Sequence, residues 1–127
     1  MNSSAFCFCG SSIPFENCCQ KFINGTQKAP TALALMKSRY SAYATHQADY
    51  LLHTTHPSQR KYHSKADILN WATANEWQKL QIISSTENTV EFKAYFLDQN
   101  KQNQIHHEFS TFKKENSNWF YVDGKFE

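Results

Sequence analysis

The sequence predicts an α+β fold: helices packed on a curved four-stranded antiparallel sheet, with a small metal-bound knuckle at the N-terminus. Three observations predict it. Apolar residues recur at three- and four-residue steps through the first half of the chain, and the period changes to two from Leu80 onward. Clusters of turn-forming residues separate the later segments into strands of hairpin spacing. All four cysteines, Cys7, Cys9, Cys18 and Cys19, fall within the first nineteen residues as C-x-C-x8-C-C.

The cysteine segment comes first in the chain. Four thiols packed so closely suit a tetrahedral zinc ion, which takes four thiolates at about 2.3 Å in a closed structural site. Disulfides are the competing reading. No secretory signal is apparent, since MNSSAFCFCGSS has neither a positive n-region nor an h-region of the usual ~7–15 residues. A cytoplasmic location is therefore expected, and cytosolic cysteines stay reduced. Most local pairings would also strain the roughly 4.4–6.8 Å Cα separation of a disulfide. The redox motif C-x-x-C is absent, which weighs against a thiol catalyst. Gly10 suits a turn with positive φ. Ser11 or Ser12 and Pro14 suit the start of a helix over Glu16 to Phe22, which would present Cys18 and Cys19 from its first turns. Phe6, Phe8 and Phe15 are expected to cover the metal.

Asn24 to Pro30 is a polar, turn-rich link. Thr31 is the N-cap of a helix running to about Thr45, whose inner stripe is Ala32, Leu35, Met36, Arg39, Tyr40 and Tyr43. A short helix covers Ala48 to His53, before Pro57. A third runs from Ala66 to Trp77 and turns Ile68, Leu69, Trp71 and Ala72 inward. Strands follow at Leu80 to Ser84, Thr89 to Leu97, Gln104 to Lys114 and Asn118 to Asp123. Asp98 to Lys101 and Glu115 to Ser117 are turns. Val90, Phe92, Ala94 and Phe96 share one face, and helices on one face of such a sheet complete the fold.

Two groups of residues resemble known sequences. Cys7-Phe8-Cys9-Gly10-Ser11, Phe15 and Cys18-Cys19 resemble the SEC-C zinc motif, first described in the tail of the SecA preprotein translocase motor. The blocks TALALMKSRYSAYA (Thr31 to Ala44), ADYLL (Ala48 to Leu52), HP..R (His56, Pro57, Arg60), HE.S.F (His107, Glu108, Ser110, Phe112) and W.YVDG (Trp119 to Gly124) are similar, in order, to the YchJ family of bacterial proteins. The resemblance covers nearly the whole chain. It implies a nuclear-transport-factor-2-like (cystatin-like) fold for the central domain and leaves the role open. Phe8 and Ser12 stand where that family usually has proline and glycine, and the ligand cysteines are intact. Longer members carry a second cysteine motif at the C-terminus, so one zinc is implied here. The expected division is a zinc-binding segment over 1–28 and an α+β domain over 29–127.

Composition narrows the function. At 127 residues, 40% hydrophobic and with ten phenylalanines and six tyrosines, the chain can bury one real core. No apolar run approaches the roughly 18 residues of a membrane span. The formal charge of +2 falls near zero once four thiolates hold a divalent zinc, which makes nucleic acid an unlikely partner. His53, His56 and His63 read as solvated loop residues. His106 and His107 are strand neighbours, so one of them faces inward. Arg39 on the inner stripe calls for a carboxylate, with Glu108 or Asp123 as candidates beside Tyr43 and His107. Three function classes follow. The first is a non-catalytic adaptor whose knuckle meets a protein or ribosomal partner, as the SecA motif meets a chaperone. The second is an enzyme using a cavity with His107 or Asp123 as general base, by analogy with ketosteroid isomerase, which shares the fold. The third, nucleic-acid binding, ranks last. No nucleophile, paired carboxylates or phosphate loop supports the second, so the sequence favours the adaptor.

Overall fold

The computed structural model describes residues 6–126. Residues 1–5 and 127, the outer ends of the two expected segments, lie outside the described residues. The chain begins as a tight loop closed by a bridge between Phe6 and Pro14. Cys7 N–H donates to Ile13 O at 2.8 Å across it. Gly10 sits in the loop at φ +94°, a left-handed conformation that glycine adopts without steric cost. A 3-10 turn over Phe15–Asn17 and the short helix α1 (Gln20–Ile23) follow. The single helix expected over Glu16 to Phe22 is broken at Cys18, with φ −121° and ψ −104°. The reason is geometric. Neighbours on a helix of 3.6 residues per turn point about 100° apart, so an unbroken helix would aim only one of the two adjacent sulfurs at the loop.

Helix α2 (Ala32–Ala44) starts where Thr31 Oγ1 accepts from Ala34 N–H at 3.0 Å. Ala32, Leu35, Met36, Arg39 and Tyr40 are buried, as the inner stripe requires. Ser38, Ser41 and Ala42 are fully buried as well. α2 is therefore enclosed on two faces, and the small residues let the neighbouring elements approach closely. Helix α3 (Ala48–His53) keeps its expected bounds. A 3-10 turn over Pro57–Tyr62 leads to α4 (Lys65–Ala74), capped by Ser64 Oγ on Asp67 N–H. α4 stops before the expected Trp77, which belongs to the first strand. Of its expected inner residues Ala72 is buried, while Leu69 and Trp71 are exposed.

The sheet is a plain meander, β1 (Glu76–Ser85), β2 (Thr89–Leu97), β3 (Asn103–Glu115) and β4 (Asn118–Phe126), antiparallel throughout and ordered 1-2-3-4. Register irregularities at Trp77/Lys79, Ile82/Ser84 and Thr111/Phe112 bend it around α2. Phe92 opposes Glu108, Ala94 opposes His106 and Val90 opposes Ser110, all on the inner face. The core is Leu35, Met36 and Tyr40 of α2 against Leu80, Val90, Phe92, Ala94 and Phe112. The segment after α3 clips onto β4: His56 N–H donates to Tyr121 O at 2.8 Å, and Tyr121 N–H donates to Thr54 O at 2.7 Å.

Candidate metal centre and cavity

The loop, the broken helix and α2 bring the four cysteines together. Their sulfurs all lie within 4.8 Å of one another, and Cys9 Sγ and Cys18 Sγ are 3.7 Å apart. A tetrahedral ion with ~2.3 Å bonds to sulfur sets its ligands about 3.8 Å apart, so the cluster has the dimensions of a thiolate cage. All four are free cysteines. Cys7, Cys9 and Cys19 are buried and Cys18 is half-buried. Hydrogen bonding from Cys19 and Cys9 holds the Cys7 thiol far below its ordinary value, while Cys7 and Cys9 push Cys19 far up. Four sulfurs at this spacing do not carry four negative charges without a cation among them. The donor set and the distances thus fit a closed metal site with no open coordination position.

Hydroxyls and rings surround the sulfurs. Ser11 Oγ lies 3.2 Å from Cys18 Sγ, so it serves the cage rather than capping a helix. Ser41 Oγ, from α2, lies 3.5 Å from Cys7 Sγ and ties the cage to the body. Phe15 and Ile23 pack on the cysteines. The expected three-phenylalanine cover is not formed, because Phe6 and Phe8 are 64% and 48% exposed. Phe8 meets only the edge of Phe15, at 5.4 Å between ring centroids.

A second feature lies between the sheet, α2 and α4: a cavity of about 300 Å³. Tyr43, Trp71, Trp77 and Phe92 give it aromatic walls, and Arg39, His106, Glu108, Ser110 and Tyr121 form a polar end. Glu108 is the focus of that end. His106 Nε2–H donates to its Oε1 at 2.7 Å; Ser110 Oγ and Tyr121 OH donate to Oε2 at 2.5 and 3.0 Å. Burial pushes the Glu108 carboxyl up, but the bonds from His106, Ser110 and Tyr121 outweigh it and hold the group below its ordinary value. Gly124 makes room for it, since a Cβ there would overlap the carboxylate. Burial raises Tyr43 and Tyr121, so both phenols stay protonated.

Arg39 is only 6% exposed. Its Nη1 donates to Leu51 O at 2.9 Å and to Thr54 Oγ1 at 2.6 Å, and its guanidinium lies 4.5 Å from the centre of the Tyr121 ring. The expected ion pair with Glu108 or Asp123 is not made: among the described residues no carboxylate lies within ion-pair distance of Arg39. A carbonyl, a hydroxyl and a ring face take the place of the acid.

Of the residues singled out in the sequence, Arg39, Tyr43 and Glu108 converge on the cavity. His107 and Asp123 do not. His107 Nε2 bonds Glu91 Oε2 at 2.8 Å on the opposite face, and Asp123 is exposed, opposite Thr111. His107 and Glu108, adjacent on one strand, could never share a face. The inward parity of Phe112 and Glu108 selects His106, and that signal was present in the sequence. Ser110 follows from the same parity. Tyr121 and Trp77 carried no comparable mark.

The sequence matches the family described as "YchJ, middle NTF2-like domain" over residues 31–124. A UPF0225 protein of Photorhabdus laumondii is 40% identical to it over 125 residues, covering 93% of this chain and 79% of that protein. A UPF0225 protein of Geobacter sulfurreducens is 34% identical, covering 93% and 77%. The fold is similar to the solution structure of a SEC-C motif containing protein from Rhodopseudomonas palustris, with TM-score 0.86 and 33% identity over 94% of this chain and 96% of that one. It is also similar to the crystal structure of a SEC-C motif containing protein from Psychrobacter arcticus, with TM-score 0.82 and 29% identity over 98% and 84%.

Proposed function

The chain belongs to the YchJ family, and from that premise we propose that it is a zinc-braced binding module whose cavity takes a small organic ligand. One observation carries the reading: a cavity of about 300 Å³ combines an aromatic and aliphatic lining with the linked polar side chains Arg39, His106, Glu108, Ser110 and Tyr121. Pockets that hold small molecules have this composition, an apolar lining with a few placed polar groups. Binding is a better reading than proton-transfer catalysis. A general base works best with a pKa near the operating pH, whereas Glu108 is held below even the ordinary carboxylate value. Glu108, rather than His107 or Asp123, is the carboxylate that a ligand meets. The test is a screen of small aromatic and aliphatic acids, alcohols and amines, read from the indole NMR signals of Trp71 and Trp77. Compounds that shift both indoles and raise the melting temperature are expected. Indole signals unmoved across the screen would remove the cavity from consideration.

The metal in this reading is zinc, because soft thiolate ligands in tetrahedral array select it. Cys7, Cys9, Cys18 and Cys19 would hold it, and four protein ligands make it structural rather than catalytic. Elemental analysis of protein purified under reducing conditions without chelator should give about one zinc per chain. A zinc-free result would sink the assignment.

A second reading makes the knuckle a contact surface for a protein or ribosomal partner. The specific observation is the exposure of Phe6, Phe8 and Ile13, at 64%, 48% and 47%, on one small loop. In a pull-down, Phe8→Ser and chelation should each abolish capture of a partner that Glu108→Gln still retains. Equal capture by untreated wild type and these three preparations would exclude the knuckle as the contact.

A further inference from the structure

We infer that the ligand of the cavity is an organic monocarboxylate with an aromatic or alicyclic body, seated with its carboxylate on Arg39. The inference rests on the binding reading above and names the ligand class. Its starting point is an incomplete hydrogen-bond count. A guanidinium carries five N–H donors in a fixed fork. Leu51 O and Thr54 Oγ1 take the two on Nη1. Among the described residues, no protein acceptor bonds Nε or Nη2, although the side chain is more than nine-tenths buried and lines the cavity.

Charge leads to the same place. A buried cation is costly unless it is paired. Glu108 does not pair with it: three donors already occupy its carboxylate, one of them the hydroxyl of Tyr121, whose ring lies under Arg39. A carboxylate arriving in the cavity would present two oxygens to the free edge of the guanidinium, the bidentate geometry in which arginine binds most strongly.

The walls restrict the rest of the molecule. Arg39 is the only lysine or arginine among the lining residues, and Glu108 contributes negative charge nearby. The three donors on Glu108 offset its charge locally, so the guanidinium is left to match one carboxylate, and a doubly charged phosphate would exceed it. Tyr43, Trp71 and Trp77 form an aromatic cluster, with Tyr43 and Trp77 rings 5.5 Å apart and Trp71 and Trp77 rings 6.1 Å apart. They suit a flat or compact apolar body. A volume of about 300 Å³ is at the small end of ligand pockets, which favours one- or two-ring acids.

The probes are 2-naphthoate, its neutral amide and inorganic phosphate, titrated into the zinc-loaded full chain and followed by the indole signals of Trp71 and Trp77. The acid should bind at least tenfold more tightly than the amide. Phosphate should neither bind comparably nor compete. Arg39→Lys, which keeps the charge but loses the fork, should reduce the acid-to-amide ratio at least threefold. Glu108→Gln, which removes the nearby negative charge, should raise it. The wild-type ratio needs no variant to fold. Equal binding of acid and amide would leave the cavity reading standing and overturn the anionic ligand. Phosphate binding as tightly as naphthoate would overturn the carboxylate class. Indoles unmoved by all three probes would overturn the carboxylate ligand and leave the cavity reading to the wider screen.

Discussion

Three donors on one carboxylate set the acid sensitivity of the inner sheet. His106, Ser110 and Tyr121 stabilise the ionised form of Glu108, so its folded-state pKa lies below the unfolded value of about 4.3. A group depressed in this way contributes stability above the unfolded pKa and loses it as pH falls through the folded one. Glu108→Gln should therefore cost about 1–3 kcal/mol at pH 7, from weakened bonds to buried donors. The deficit should shrink as pH falls below the unfolded value and through the lower folded one, where wild type protonates. Urea denaturation from pH 7 to pH 3 checks this. A constant gap between the two curves would mean that the carboxylate is not ionised in the fold.

Among the elements, α2 carries the most. One face meets the sheet through Leu35, Met36 and Tyr40; Arg39 reaches the cavity; Ser41 touches the cysteine cage. The buried serines lie beside the inner stripe and belong to the helix's second enclosed face. Ser38 Oγ donates to Leu35 O at 2.7 Å, which satisfies it within the helix and beside Tyr50. Ser41 instead supports Cys7. Outer partners of metal ligands typically matter about 10–100-fold in affinity. Ser41→Ala should weaken zinc binding by roughly tenfold, measured by competition with a chromophoric chelator. The body should lose only about 1 kcal/mol. Unchanged zinc affinity would show that the Cys7 contact is incidental.

At the scale of the whole molecule, the question is how far the metal segment and the body stand apart. Small metal sites fold with their ion. The sheet has its own core, so chelation should unfold the cysteine segment while the β-sheet circular dichroism signal persists. The contact is nonetheless real: Phe22 packs against the main core and Ser41 meets Cys7. The apo protein should consequently melt several degrees lower, as each kcal/mol lost shifts a domain of this size by roughly 4–8 °C. Loss of the sheet signal together with the zinc would contradict the two-part organisation. Among the described residues no helix is long and apolar enough to cross a membrane.

The sequence by itself determined what depends on local periodicity and spacing. The cysteine quartet, the Thr31 cap, α2 and α3, the run Thr89–Leu97 and the inward set Val90, Phe92, Ala94 and Phe96 were all legible, because side-chain period and capping chemistry are local properties. Arg39 was legible as a buried residue in need of partners, because a charge on an apolar face needs an explanation wherever it occurs. The tertiary structure decided what depends on contacts distant in the chain. It broke the first helix so that both Cys18 and Cys19 could face the loop. It moved Trp77 from helix to strand and chose His106 over His107. It also gave Arg39 the Tyr121 ring and two oxygens instead of an acid. That last choice could not be read in advance. The electrostatic demand of a buried cation is written in its own residue, but which group meets it depends on how β4 and the segment after α3 are brought together around α2.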